Sequence, residues 1–260
     1  MLRRFVLGFC LALALAPSTA AQESTEPPPP KAAPRVSVMS EELPRAGAIV
    51  VFGADRPLGL EIVKALAAAG KQVTAAIPEG ADRTALEALK VAVVTADPLN
   101  ADKLKEMFTS APLRAVVTAY DATGEVPAFG LDGTRNIVDA TKATNVPRLV
   151  LVSATGAGDS AGLLPWYVRM LRGDEIARAG AAEDHLKASG LDFTIVRAGW
   201  LIEEETASPA KLEEGAPAFT WIAPGDLARL VASSVDSKLL SGKTATAVDP
   251  ERVSLFSVIF

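Results

Sequence analysis

From Ala48 onward, apolar residues fall into two alternating patterns. One is the short unbroken run: "AIVVF" (48–52), "QVTAAI" (72–77), "VAVVTAD" (91–97), "RAVVTAY" (114–120), "RLVLVSA" (148–154), "DFTIVR" (192–197) and the stretch near "TATAV" (244–248). Runs of this length, rich in valine and isoleucine, predict strands buried on both faces of a sheet. In the other pattern apolar positions recur three and four residues apart. Leu58, Ile62, Val63 and Leu66 share one helical face in "LGLEIVKALAAAG", which stops at Gly70. Further helices are expected over 82–89 (opened by Asp82), 100–108, 130–145, about 163–189 and 224–235.

Regular strand–helix alternation implies right-handed crossovers and a parallel sheet covered by helices. In such a sheet ligands bind outside the carboxyl ends of the strands, so the residues just after each apolar run are the ones to inspect.

The N-terminus does not share this alternation. Arg3 and Arg4 precede an apolar run from Phe5 to Ala16, too short for a comfortable membrane span. Small residues ahead of Gln22 complete the pattern of a secretory signal over residues 1–21, cleaved after Ala21. The expected destination is the periplasm or cell envelope, with no stable membrane span after cleavage; an uncleaved N-terminal anchor is the alternative. The paired arginines partly match a twin-arginine signal, which would carry a folded protein. Cys10, the single cysteine, lies inside this segment, so the mature chain would have no thiol chemistry. Residues 22–46 contain four consecutive prolines in a polar context and read as an extended tether.

Composition narrows the partners. The chain has 260 residues, 49% of them hydrophobic, which suits one α/β domain with a sizeable core. A net charge of -5 argues against nucleic acid, whose phosphates call for clustered Lys and Arg. No cluster of His and Cys suggests a metal.

The stretch "VFGADRPLG" (51–59) joins the first strand to the first helix. Gly53 can turn where a side chain would clash, and Gly59 lets the helix approach the strand. The helix N-terminus then offers amides and partial positive charge to a pyrophosphate. Pro57 removes one amide but suits a first helical turn. The plain alternative is a strand-to-helix turn that binds nothing.

"GADRPLGLEIVKAL", "DGTRNIVDATKATNVPRLVLVSATGAG" and "AAEDHLKASGLDFTIVRAGWL" together resemble the short-chain dehydrogenase/reductase superfamily, most of all its atypical, NmrA-like, NAD(P)H-binding branch. The resemblance covers about residues 47–250. It implies a Rossmann-type doubly wound parallel sheet, one domain over 47–260, and a bound dinucleotide. It places Gly53, Asp55, Arg56, Leu58, Gly59, Arg83, Asp97, Ala119, Tyr120, Ser153 and Arg197 about the cofactor. The middle glycine of the family's loop, at 56 in atypical members and 57 in the commoner branch, is absent here. Arg56 instead resembles the basic residues that pair with the 2'-phosphate of NADP, so NADP is expected in preference to NAD. The second strand ends without the acidic residue that NAD binders use. Pro78 stands where relatives often have Arg, and Arg83 is the substitute; both Arg56 and Arg83 are alternatively plain surface charges. Asp97 would lie near the adenine or serve as a turn cap. Tyr120, bulkier than usual, would cover the site.

Typical members of the superfamily use a Ser and a Tyr-x-x-x-Lys. Ser153 and Tyr167 are the candidates for catalysis, but Leu171 occupies the lysine position. Atypical relatives that lack the dyad still pass hydride to flavins or quinone-like acceptors. His185, the only histidine, reads more readily as a surface residue than as a catalyst. Three functions stay open: an NADP-dependent reductase of a small planar acceptor, a non-catalytic nucleotide-binding protein, and an envelope scaffold or interaction domain.

Overall fold

The computed structural model describes residues 47–120, 127–202, 210–215 and 221–250. The signal over 1–21, the tether over 22–46 and Cys10 lie outside the described residues. The unbroken apolar runs form strands β1 (Ala48–Phe52), β2 (Val73–Ile77), β3 (Ala92–Thr95), β4 (Leu113–Thr118), β5 (Leu149–Ala154) and β6 (Phe193–Ala198). Two-residue strands β7 (Trp200–Leu201) and β9 (Trp221–Ile222) pair with each other, and β8 (Lys211–Glu213) and β10 (Lys243–Val248) extend the main sheet. Helices α1 (Pro57–Ala68), α2 (Thr84–Ala88), α3 (Ala101–Ser110), α4 (Pro127–Ala143), α5 (Trp166–Ala188) and α6 (Pro224–Ser234) fill the connections.

The eight-stranded sheet runs β3-β2-β1-β4-β5-β6-β10-β8. Its pairings are parallel apart from β8 on β10. This antiparallel edge departs from the all-parallel expectation. A three-residue "KLE" strand carries no detectable period, and such edges are common on otherwise parallel sheets. The order reverses between β1 and β4, which opens a crevice at their carboxyl ends.

Successive residues of each central strand point to opposite faces. Val51, Ala75, Val117 and Val150 meet Leu58, Ile62 and Leu66 of α1 and Leu227 and Val231 of α6. Phe52, Val116, Leu149 and Ile195 meet Leu104 and Phe108 of α3, Ile137 and Val138 of α4, and Leu186 of α5. Both faces are covered, as the continuous apolar runs require.

The long helical region near 163–189 is divided. Gly158–Leu163 forms a 3-10 segment, Pro165 precedes α5, and α5 departs from helical geometry at Arg172 (φ -125°, ψ 15°). Gly173, a poor helix former, follows the break.

Arg148, at the start of β5, is 1% exposed and staples one end of the sheet. It donates to Asp192 Oδ1 (2.6 Å), Thr194 Oγ1 (2.6 Å) and the carbonyls of Ser234 (2.9 Å) and Ser237 (3.1 Å). Removing the guanidinium leaves several buried acceptors unmet. Arg148→Met should lower stability by about 2–4 kcal/mol in urea unfolding, with cooperativity retained.

Candidate functional site

The turn after β1 is shaped by two close approaches. Gly53 adopts φ +76°, a region that L side chains rarely enter. A Cβ on Gly59 would sit 1.9 Å from the Gly53 carbonyl oxygen and 2.9 Å from Ala54 Cα, so a glycine is required where α1 meets the turn. The Arg56 amide donates to Gly53 O (3.0 Å), and the helical ladder begins with Leu60 N to Arg56 O (2.8 Å). The amides of Leu58 and Gly59 therefore precede the ladder at the positive end of α1, while Pro57 brings none.

Around this turn stand buried oxygens with unmet hydrogen-bonding capacity. Asp55 Oδ1, Thr118 Oγ1, Tyr120 OH and Ser153 Oγ have no hydrogen-bond partner among the described residues. They belong to the carboxyl ends of β1, β4 and β5, beside the crevice. Buried polar groups in native proteins are nearly always paired, so such a group of them marks space for a polar ligand or water. A dinucleotide, with its ribose hydroxyls and phosphates, fits these donors and acceptors together with the turn's amides.

Tyr120 is 4% exposed and packs against Phe52 and Phe129, with ring centroids 6.4 and 5.9 Å apart. Its ring also lies 3.5 Å from where a Gly53 Cβ would be. Burial pushes the phenol pKa well up, and the nearby Asp55 charge pushes it further. The Gly53 amide faces the phenol oxygen outside hydrogen-bonding geometry and offsets this only in part. The phenol thus stays protonated and is a standing donor. Ala119, also buried, forms the floor beside it.

Arg56 Nε lies 3.4 Å from Asp55 Oδ2, with a quarter of its side chain exposed. Asp97 is exposed, and its Oδ1 accepts from the Leu99 amide (2.9 Å), so it closes the turn before α3. It still acts electrostatically on Tyr120, which keeps it at the site's rim. Arg83 is exposed and 3.7 Å from Glu87, after β2.

The other candidates lie on β5, α5 and β6. Ser153 is fully buried and Tyr167 is 45% exposed on the first turn of α5, its ring edge against Trp166. The two hydroxyls are therefore not hydrogen-bonded to each other. Arg197 lies near the end of β6, beside Ser153 in register, and its Nε and Nη2 are engaged within the protein. Nε and Nη2 bond Glu183 (2.9 and 2.6 Å), and Nη2 also meets Asp159 (2.6 Å). Burial opposes the guanidinium charge, but Glu183 and Asp159 outweigh it and raise its pKa; the same contact lowers that of Asp159. Arg197 thus ties α5 to the sheet through Glu183.

Glu183 was not singled out in the sequence, though a signal existed. It falls between Ala179 and Leu186 on the buried stripe of α5, where a carboxylate demands a charged partner. Gly180 sits against the loop before α5: a Cβ there would lie 2.9 Å from Gly158 N. His185 faces α4, 2.8 Å from Asp139 Oδ1.

Beyond β5 and β6 opens a cleft lined by Ala154, Thr155, Leu164, Val168, Arg172, Glu175, Ile176, Ala198, Gly199 and Trp200. Among the described residues, no group of His, Cys, Asp and Glu side chains is placed to hold a metal, and no helix is long and apolar enough to cross a membrane.

Comparison with known proteins agrees with this geometry. A family model described as NAD(P)H-binding matches residues 53–238. The chain is 35% identical over 129 residues to YhfK of Bacillus subtilis, an uncharacterized sugar epimerase, covering 46% of this chain and 52% of YhfK. It spans little more than half the length of the curated relatives it matches. Among solved structures, ChuY of Escherichia coli O157:H7, an anaerobillin reductase, superposes with a TM-score of 0.70 at 21% identity, covering 78% of this chain and 98% of ChuY. A short-chain dehydrogenase/reductase of Veillonella parvula in complex with NADP gives 0.65 at 17%, covering 80% and 97%. Both structures share the fold.

The unmet Tyr120 hydroxyl yields a two-sided expectation. Tyr120→Phe should stabilise the ligand-free protein by about 1 kcal/mol in urea unfolding, because an unpartnered buried hydroxyl is removed. The same variant should weaken dinucleotide binding in calorimetry. A loss of stability would mean that the hydroxyl is already satisfied.

Proposed function

The chain belongs to the NAD(P)H-binding family within the atypical short-chain dehydrogenase/reductase superfamily, and on that premise we propose that it is an NADPH-dependent reductase of a small planar acceptor, flavin-like or quinone-like. The observation that carries the reading is the adjacency of two features. Unpartnered buried oxygens stand at the carboxyl ends of β1, β4 and β5, and a cleft of mixed polar and apolar lining opens beyond β5 and β6, with Ala154 in its wall next to Ser153. A bound NADPH would supply the hydride, and water the proton, for two-electron reduction of the acceptor. The chain's own residues would hold and orient it: the Leu58 and Gly59 amides are available to phosphate, Tyr120 to donate, and Asp55 and Ser153 to accept. Such acceptors need orientation more than a strong general acid, which suits a site where Leu171 replaces the expected lysine.

The choice of NADP rests on Arg56. Its guanidinium is partly exposed at the turn, and β2 ends in Ile77 and Pro78 with no acidic residue to receive ribose hydroxyls. Asp55 Oδ2 lies 3.4 Å from Arg56 Nε, at the place where a 2'-phosphate would arrive. Export to the cell envelope is proposed on the basic and apolar start of the chain. Sequencing the N-terminus of protein from native cells should return Gln22; Met1 would overturn cleavage.

A nucleotide-binding protein without turnover is the second reading, favoured by the separation of Ser153 from Tyr167. Calorimetry decides between readings. Wild-type protein should bind NADPH, and Arg56→Ala should weaken NADPH about 10- to 100-fold while changing NADH little. Equal losses for both nucleotides would reduce Arg56 to a surface charge. No NADPH binding up to millimolar concentration would overturn the reductase reading, and binding without oxidation by any flavin or quinone would favour the second.

A further inference from the structure

We infer, resting on the planar-acceptor reading above, that Arg172 selects an acceptor bearing a carboxylate. Arg172 is an odd wall for the cleft, which it lines beside Leu164, Val168 and Ile176. Two groups fix its guanidinium. Glu175 Oε2 accepts from Nε (2.7 Å) and lies 2.6 Å from Nη2, and the Trp200 ring lies against the guanidinium, 5.4 Å from Cζ to the ring centroid. Trp200 is in turn packed against Trp221, with centroids 5.9 Å apart. The backbone contributes too, since α5 leaves helical geometry at this residue.

An exposed ion pair three residues apart is worth little to stability, so stability alone does not account for this fixation. What the arrangement does produce is an oriented fork. One edge is spent on Glu175 and one face on Trp200. The Nη1 edge makes no hydrogen bond among the described residues, and the side chain is 40% exposed at the cleft. A planar guanidinium with a free edge matches a carboxylate through two parallel hydrogen bonds, and pre-orientation by an aromatic ring reduces the entropy lost on binding. Leu164, Val168 and Ile176 then offer apolar surface to the rest of the molecule. Trp200 acts as a positioning residue, because its contact is with Arg172.

The probes are anthraquinone-2-carboxylate and its neutral isostere anthraquinone-2-carboxamide, titrated into the full chain with NADP+ present, read by tryptophan fluorescence and calorimetry. Wild-type protein should bind the acid at least about tenfold more tightly than the amide. Arg172→Met should erase that preference and leave the amide's affinity in place. Glu175→Gln should tighten the acid alone, since it releases the guanidinium from a competing carboxylate. Equal affinities in the wild type, or a preference that survives in Arg172→Met, would overturn the role of Arg172 while leaving the planar-acceptor reading intact. If neither quinone binds although NADP+ does, the inference and the acceptor reading fall together.

Discussion

The contact between Gly59 and the Gly53 carbonyl governs the site. With only 1.9 Å between that oxygen and the place of a Cβ, α1 can begin against the end of β1 only because position 59 carries no side chain. This approach directs the positive end of α1 over the crevice where strand order reverses. The same turn sets Asp55 inward and Arg56 to the rim, and brings Gly53 under the ring of Tyr120. A missing middle glycine is tolerable because Arg56 and Pro57 occupy the N-cap and first helical positions, where φ is negative and no αL residue is needed.

Much of the fold was legible because sheet and helix impose different periods. "AIVVF" and "RLVLVSA" read as doubly buried strands, and they alternate into the two helical layers. What escaped was short or locally ambiguous. β8 is three residues with two charges, and β7 and β9 have two residues each, below any period. The break in α5 falls at Arg172, an ordinary helix former, with only Gly173 as a sign.

The site divides along the same line. The turn glycines were legible because backbone conformation restricts residue type. Asp97 was visible as a cap, since Asp bonds amides two residues on in any surroundings. The fate of Arg197 was not visible, because it depends on Glu183, fourteen residues earlier and on another element. Strand-end position suggested a ligand contact, and the Glu183 contact that occupies two of its nitrogens could not be read from position alone.

The Arg197–Glu183 pair also bears on chemistry. It clamps the second half of α5 to β6, where the absence of a side chain at Gly180 lets helix and loop come close; a Cβ there would lie 2.9 Å from Gly158 N. The first half of α5, beyond the break at Arg172, is free of this clamp and carries Leu164's neighbours Trp166 and Tyr167 to the surface. The helix that positions a proton-donating dyad in typical members is used differently here. Its inner half is held to β6 by the Arg197–Glu183 pair, and its outer half lines the cleft with Val168, Arg172, Glu175 and Ile176.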